Sequence, residues 1–209
     1  HVSFLHSGAL NNDPLFKDGE HRANRYNLTD RMPHFDVVEY EGGLLIGARR
    51  QADNDRWYWR ITPFIMPWHT LIPPRAGHPI GGHAWVPIDD ENCWAWSINY
   101  HPRRALEASE VKEMVEGIAM QDASLQESMG PIQDRTRENL CSTDNGIIMM
   151  RRMLLKAGRD NREGKPLPGI KPDSQRVRSC AIELPKSVKF KDGARQGLFP
   201  ELNSDPVTV

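Results

Sequence analysis

The chain has little cysteine: three residues in 209, Cys93, Cys141 and Cys180, with no Cys-x2-Cys pair. An odd, widely spaced set excludes a disulfide framework and a structural zinc site of the usual spacing, and predicts reduced thiols in a cytoplasmic protein. No run of about 18 apolar residues is present, so no segment reads as a membrane-spanning helix. The basic, apolar and small-residue regions of a secretory signal are missing. Net charge is missing as well, with 27 basic residues against 28 acidic ones. That excludes a nucleic-acid or membrane-surface role driven by net charge. No internal repeat and no low-complexity tract interrupts the chain.

What is there begins with loop chemistry. Ser7-Gly8 breaks a candidate helical end over residues 1–6, and Asn11-Asn12-Asp13-Pro14 follows. From about residue 34 the pattern changes to strands. Residues 35–40 and 44–49 flank Gly42-Gly43 as a hairpin. Arg56 to Thr62, rich in aromatic and β-branched residues, predicts another strand. A second hairpin joins 83–88 to 93–100 through Asp89-Asp90-Glu91-Asn92. In its second strand Trp94, Trp96, Ile98 and Tyr100 share one face, expected to pack under another element. Cys93, Ala95, Ser97 and Asn99 share the other, expected to border a cavity or face a helix. Helices are expected over 107–114 and 122–139, with a break at Gly130-Pro131. A strong helix is expected after Ser142-Thr143-Asp144. Residues 158–174 read as loop, 180–184 as a short strand, and the rest as a polar tail. Strands first and helices last favour α+β. An antiparallel sheet around a long carboxy-terminal helix satisfies the pattern.

His1 and His6 are the chemically distinctive pair, in His-Val-Ser-Phe-Leu-His, and Asp122 is the candidate third partner. Two imidazoles and a carboxylate suit ferrous iron and leave three positions open. The spacing alone is weak. Five positions on an ideal helix advance ~500°, so the two rings diverge by ~140°. Without a metal role, the histidines are surface or interface residues and Asp122 is a first-turn carboxylate favoured by the helix dipole.

His-Val-Ser-Phe-Leu-His-Ser-Gly resembles the iron-binding segment of Rieske non-haem iron aromatic ring-hydroxylating oxygenases. Trp-Val-Pro-Ile-Asp-Asp-Glu-Asn (85–92) and Gln-Glu-Ser-Met-Gly-Pro-Ile-Gln-Asp-Arg-Thr (126–136) look like the phthalate dioxygenase branch. The resemblance covers nearly all of residues 1–200. It implies a helix-grip (START-like) catalytic domain over residues 1–209, with His1, His6 and Asp122 as catalytic iron ligands. Asp134 is the runner-up carboxylate; Asp122 is preferred because it stands five residues before Glu127, as in the family. The resemblance also implies a mononuclear Fe(II), electrons from a Rieske [2Fe–2S] cluster, a flavin- or ferredoxin-type reductase partner, and a homotrimer or hexamer. The substrate would be aromatic, with dioxygen as co-substrate and a cis-dihydrodiol or a demethylated phenol plus formaldehyde as product. Two departures stand out. The paired Cys-x-His and Cys-x2-His segments of a Rieske domain are not in these 209 residues, and neither is the Asp that usually precedes the first His. The chain is therefore expected to be part of a longer protein, with residues missing before His1 and near 114–115.

A carboxylated substrate would need a cation beside the iron. Arg31, Arg49 and Arg50 are candidates, Arg31 first by its place before the first strand, and Ser3 could line the same pocket. The tryptophans at 57, 59, 94 and 96 and the histidines at 34, 69, 78, 83 and 101 read as structural. The alternative function is a helix-grip module that binds a hydrophobic ligand without metal, since fold alone does not fix function. A copper enzyme using His1 would need secretion and a processed terminus, and a zinc hydrolase at these ligands lacks an evident general base.

Overall fold

The computed structural model describes residues 6–12, 25–75, 78–101, 103–116 and 118–199. Two short helices, α1 (Ser7–Asn12) and α2 (Tyr26–Thr29), precede six strands in succession. These are β1 (His34–Tyr40), β2 (Gly43–Gln51), β3 (Arg56–Ile65), β4 (His69–Leu71), β5 (Ile80–Pro87) and β6 (Cys93–Tyr100). Helices α3 (Ala108–Glu116), α4 (Ile118–Ser128) and α5 (Asn145–Arg162) follow, then β7 (Cys180–Pro185), α6 (Phe190–Gly193) and α7 (Arg195–Leu198). All pairings are antiparallel in the order β1-β2-β3-β4-β5-β6, with β7 joining β3. The fold is mixed α/β around this seven-stranded sheet.

Local chemistry explains the turns. Gly43 enters β2 at φ +152°, and a Cβ there would sit 2.1 Å from the Phe64 carbonyl oxygen. Only glycine lets the two backbones close the pair. Asn54 and Asp55 both take positive φ in the β2–β3 turn, the residue types that tolerate it best after glycine. Asp89 pins the β5–β6 turn by accepting from the Glu91 and Asn92 amides at 2.8 and 2.7 Å. Those bonds hold its carboxyl below the usual carboxylate range.

The sheet has two unlike faces. One residue row runs Leu44–Phe64–Thr70–His83–Ser97 across five strands. On this face α5 packs Met149, Met150, Met153, Leu154 and Ala157 against Leu44, Phe64 and Ile46. Gly146 permits the contact, because a Cβ there would lie 3.0 Å from the Ile46 side chain. The opposite face holds Leu45, Trp59, Ile61 and Ile65 under Val177, Cys180, Leu184, Phe190, Ala194 and Leu198. The segment expected as a polar tail thus supplies part of the main core, buried Phe190, Ala194 and Leu198, around two four-residue helices that are too short for a hydropathy pattern to reveal.

Four expectations are corrected. Ser7-Gly8, read as a helix break before loop residues, instead opens α1, which runs to Asn12. The helix expected over 122–139 does break at Gly130-Pro131, where Gly130 takes φ +83°, but it begins at Ile118 and beyond the break only the short 3-10 turn Arg135–Arg137 forms. The helix after 144 continues to Arg162, through residues expected as loop, with an ion pair between Lys156 and Asp160 one turn apart. Finally, no described residue covers the large side chains of β6: Trp94, Trp96, Ile98 and Tyr100 are all at least half exposed. The carboxy-terminal cover reaches β2, β3 and β7 and stops short of β6.

Candidate metal centre

His6 stands at the entrance to α1, where its carbonyl accepts the Leu10 amide at 3.0 Å. Its ring is 2% exposed. Two consecutive residues of α4 meet it, one on each nitrogen. Nδ1 lies 2.8 Å from Gln121 Oε1, and Nε2 lies 3.3 Å from Asp122 Oδ1. With Gln121 Oε1 as acceptor, Nδ1 carries a proton and Nε2 is the nitrogen turned toward the carboxylate. The imidazole nitrogen and the carboxylate oxygen thus face one another as two potential donor atoms to one ion. Metal-bound histidines commonly hold their distal N–H on such an acceptor, which sets the tautomer and aims the ring.

The donor set therefore fits a metal. Ligand bonds of ~2.1 Å at a right angle put neighbouring donor atoms ~3 Å apart, close to the separation found here. Imidazole with carboxylate is a donor pair suited to ferrous iron. His1 and Ser3 lie outside the described residues. Among the described residues no group of three His, Cys, Asp or Glu side chains converges, so the structure brings together two of the three expected ligands. Asp134 has other work: its carboxylate accepts from Thr136 N at 3.0 Å and Thr136 Oγ1 at 2.7 Å, opening a short 3-10 turn. Those bonds hold it below the usual carboxylate range.

His83 belongs to the same neighbourhood, although its place in a strand gave no sign of it. It faces the α5 side of the sheet, in the row with Phe64, Thr70 and Ser97. Burial lowers its pKa, and the nearby Asp122 carboxylate opposes that shift without cancelling it. The imidazole is thus neutral at pH 7 and lies 5.3 Å, centroid to centroid, from the Trp85 ring. Trp85 Nε1 in turn donates to Thr70 Oγ1 at 3.4 Å. Beside it the small residues of β6, Ala95, Ser97 and Asn99, occupy the same face by register. Space on this side and bulk on the other is what an alternating small–large strand produces.

The three candidate arginines part company. Arg31 is exposed. Arg49 stacks over Trp57 at 5.0 Å, on the face away from His83. Arg50 is 4% exposed and lies on the His83 side of the sheet, donating from Nε to the Asp30 carbonyl at 3.2 Å. Burial and the neighbouring Arg60 guanidinium pull its pKa down to about 10, against Tyr58 and Asp30. It stays a cation at neutral pH, with Nη1 buried and without a hydrogen-bond partner among the described residues. A buried cation with an unspent donor is a natural counterpart for an anionic group.

Comparison with known proteins points the same way. Residues 98–192, which include Gln121, Asp122 and all of α5, match the family model described as LigXa C-terminal domain like. The chain is also 27% identical over 251 residues to the 3-chlorobenzoate-3,4-dioxygenase oxygenase subunit of Comamonas testosteroni. That alignment takes in 94% of this chain and 57% of the relative. The chain thus spans a little over half the relative's length, and over that span it is similar to the oxygenase subunit of an aromatic dioxygenase.

Proposed function

We propose that this chain is the catalytic part of a Rieske-type ring-hydroxylating oxygenase, with His1, His6 and Asp122 as ligands of a mononuclear Fe(II). One observation carries the reading: the His6 imidazole and the Asp122 carboxylate, far apart in sequence, present their donor atoms to each other at 3.3 Å while Gln121 holds the other ring nitrogen. The similarity to an oxygenase subunit supports it. So does the lie of α5 along β1 and β2, which accords with a helix-grip fold.

Iron bound there would supply the redox chemistry that couples dioxygen to an arene. The chain's own residues do the rest. Gln121 keeps the proton on His6 Nδ1, so the lone pair on Nε2 stays directed at the site. Neutral His83 offers one ring donor and one acceptor to whatever lies beside Asp122. The small face of β6 leaves room for a flat ring. Arg31 and Ser3 would receive a carboxylate; Arg50 shares the face of His83 but stands six residues, roughly 20 Å, along β2 from that row. The relative's name specifies a chlorobenzoate, so a carboxylated arene is the substrate class proposed here. Electrons would arrive from a [2Fe–2S] cluster and a reductase, in a homotrimeric or hexameric assembly.

Anaerobic equilibrium dialysis against Fe(II) tests the reading. The expected result is one iron per chain for the unaltered protein and at least ~100-fold weaker binding for Asp122→Ala. Failure to bind iron, with retained affinity for aromatic carboxylates, would overturn it in favour of a metal-free binding module.

A further inference from the structure

Arg50 is a cation sealed into the sheet with too few acceptors around it. On β3 it stands opposite Tyr58, and Arg60 follows two residues along on the same face. β7 brings Ala181 and Glu183 to that face. Tyr26 of α2 closes the patch, its ring 5.5 Å from the Tyr58 ring. Tyr26, Tyr58 and Arg50 are 2%, 1% and 4% exposed.

Charge around Arg50 does not balance. Three guanidiniums, those of Arg50, Arg56 and Arg60, stand against the Asp30 and Glu183 carboxylates among the described residues. The Arg25–Asp53 pair at the rim is neutral by itself. Both carboxylates are occupied. Asp30 accepts the Met32 amide at 3.2 Å and the Gln51 amide at 2.8 Å. Glu183 faces Arg56 Nε at 3.8 Å. Arg60 donates from Nη2 to the Pro73 carbonyl at 2.7 Å and from Nη1 to the Pro74 carbonyl at 3.5 Å. Arg50 donates from Nε to the Asp30 carbonyl, and its buried Nη1 meets no acceptor among the described residues. Arg60 adds repulsion to the cost of burying Arg50, and the two together lower the Arg50 pKa.

A buried cation beside a second cation, with a donor unmatched, is destabilising until an anion completes the set. Water would accept from Nη1 but leave the charge uncompensated.

We propose that a small monovalent anion, chloride or a carboxylate the size of formate, sits against Arg50 Nη1 and ties α2 to the sheet. One negative charge matches the one positive charge in excess. Tyr26 and Tyr58 leave no room for an arene. The position lies six residues, roughly 20 Å, along β2 from the row that holds His83, so this ion is neither the substrate nor a partner of the metal. The inference is independent of the iron reading.

Thermal unfolding of the full chain tests it, in sodium gluconate, whose anion is too large to enter. Bromide (standing for chloride) or formate then replaces gluconate at constant ionic strength. The expected result is a saturable rise in Tm, about 5–10 °C at 100 times the dissociation constant. A response to bromide alone identifies a halide site, and a response to formate alone a carboxylate site. Arg50→Met keeps the length of the side chain and removes its charge. It should unfold in gluconate no earlier than the unaltered protein, and neither salt should raise its Tm. Should Arg50→Met fail to fold, the half-buried Arg60→Gln should weaken the dissociation constant about tenfold. Crystals soaked in bromide or formate should show the ion within hydrogen-bonding reach of Arg50 Nη1, bromide by its anomalous scattering. A Tm that follows ionic strength alone, an Arg50→Met protein that keeps the full rise, or soaked crystals with only water beside Nη1 would each overturn the proposal.

Discussion

The two ends of the one sheet obey the same alternation and meet different fates. In β2 and β3 both sets of side chains are covered: Leu44 and Phe64 by α5, and Leu45 and Ile61 by the carboxy-terminal segment. In β6 the small side faces the candidate site and the large side faces solvent. A period of two says which residues share a face, but nothing about whether that face is covered. Cover comes from segments far along the chain. Here the residues after Val177 fold back on β2 and β3 and do not extend to β6.

Stability measurements should separate the two ends. The largest effect is expected for Leu45→Ala, fully buried beneath Leu198 and Phe190, at about 2–5 kcal/mol by urea denaturation. Gly146→Val should follow at about 1–3 kcal/mol, because its side chain would press on Ile46 and lift α5 off β2. Trp94→Ala, measured at concentrations where the chain is monomeric, should cost under ~0.5 kcal/mol. Equal losses for Leu45→Ala and Trp94→Ala would erase the contrast.

Two further measurements sharpen it by chemistry. Gln121→Leu keeps both candidate ligands and removes only the acceptor on His6 Nδ1, so Fe(II) affinity should fall about 10–100-fold without loss of fold. An unchanged affinity would show that another group orients the ring. Thiol labelling should also report the two ends separately. Cys93 at the start of β6 and Cys141 react in the native state. Cys180, buried against β3 with its thiol pushed up to about 11, reacts only on unfolding.

Much of the local structure was legible. The Gly42-Gly43 hairpin, the aromatic strand from Arg56, the Asp89 turn and the strand at 180–184 all stand where period and turn chemistry predict them. The helix after Asp144 was legible at its start, where Asp144 accepts the Cys141 amide at 2.9 Å, but not at its end. β4, of three residues, is too short to show a period. His6 and Asp122 could be picked out in the sequence as candidate ligands, and the structure sets them 3.3 Å apart. Gln121 and His83 could not: glutamine is an ordinary helix residue, and a histidine in a strand has no pattern that marks it. Arg50 and Arg49 are neighbours in sequence, and only the register of β2 sends one to the site face and the other over Trp57.

The sequence by itself determined where the chain turns, which segments become strands and helices, and which side chains alternate, because these depend on interactions a few residues apart. It also determined the ligand chemistry available, two imidazoles and a carboxylate. The tertiary structure decided that His6 meets consecutive residues of α4, that His83 stands beside Asp122, and that β6 keeps its aromatic face bare. Those outcomes depend on which distant surfaces bury one another, and packing over the whole sheet settles that where short-range propensity cannot.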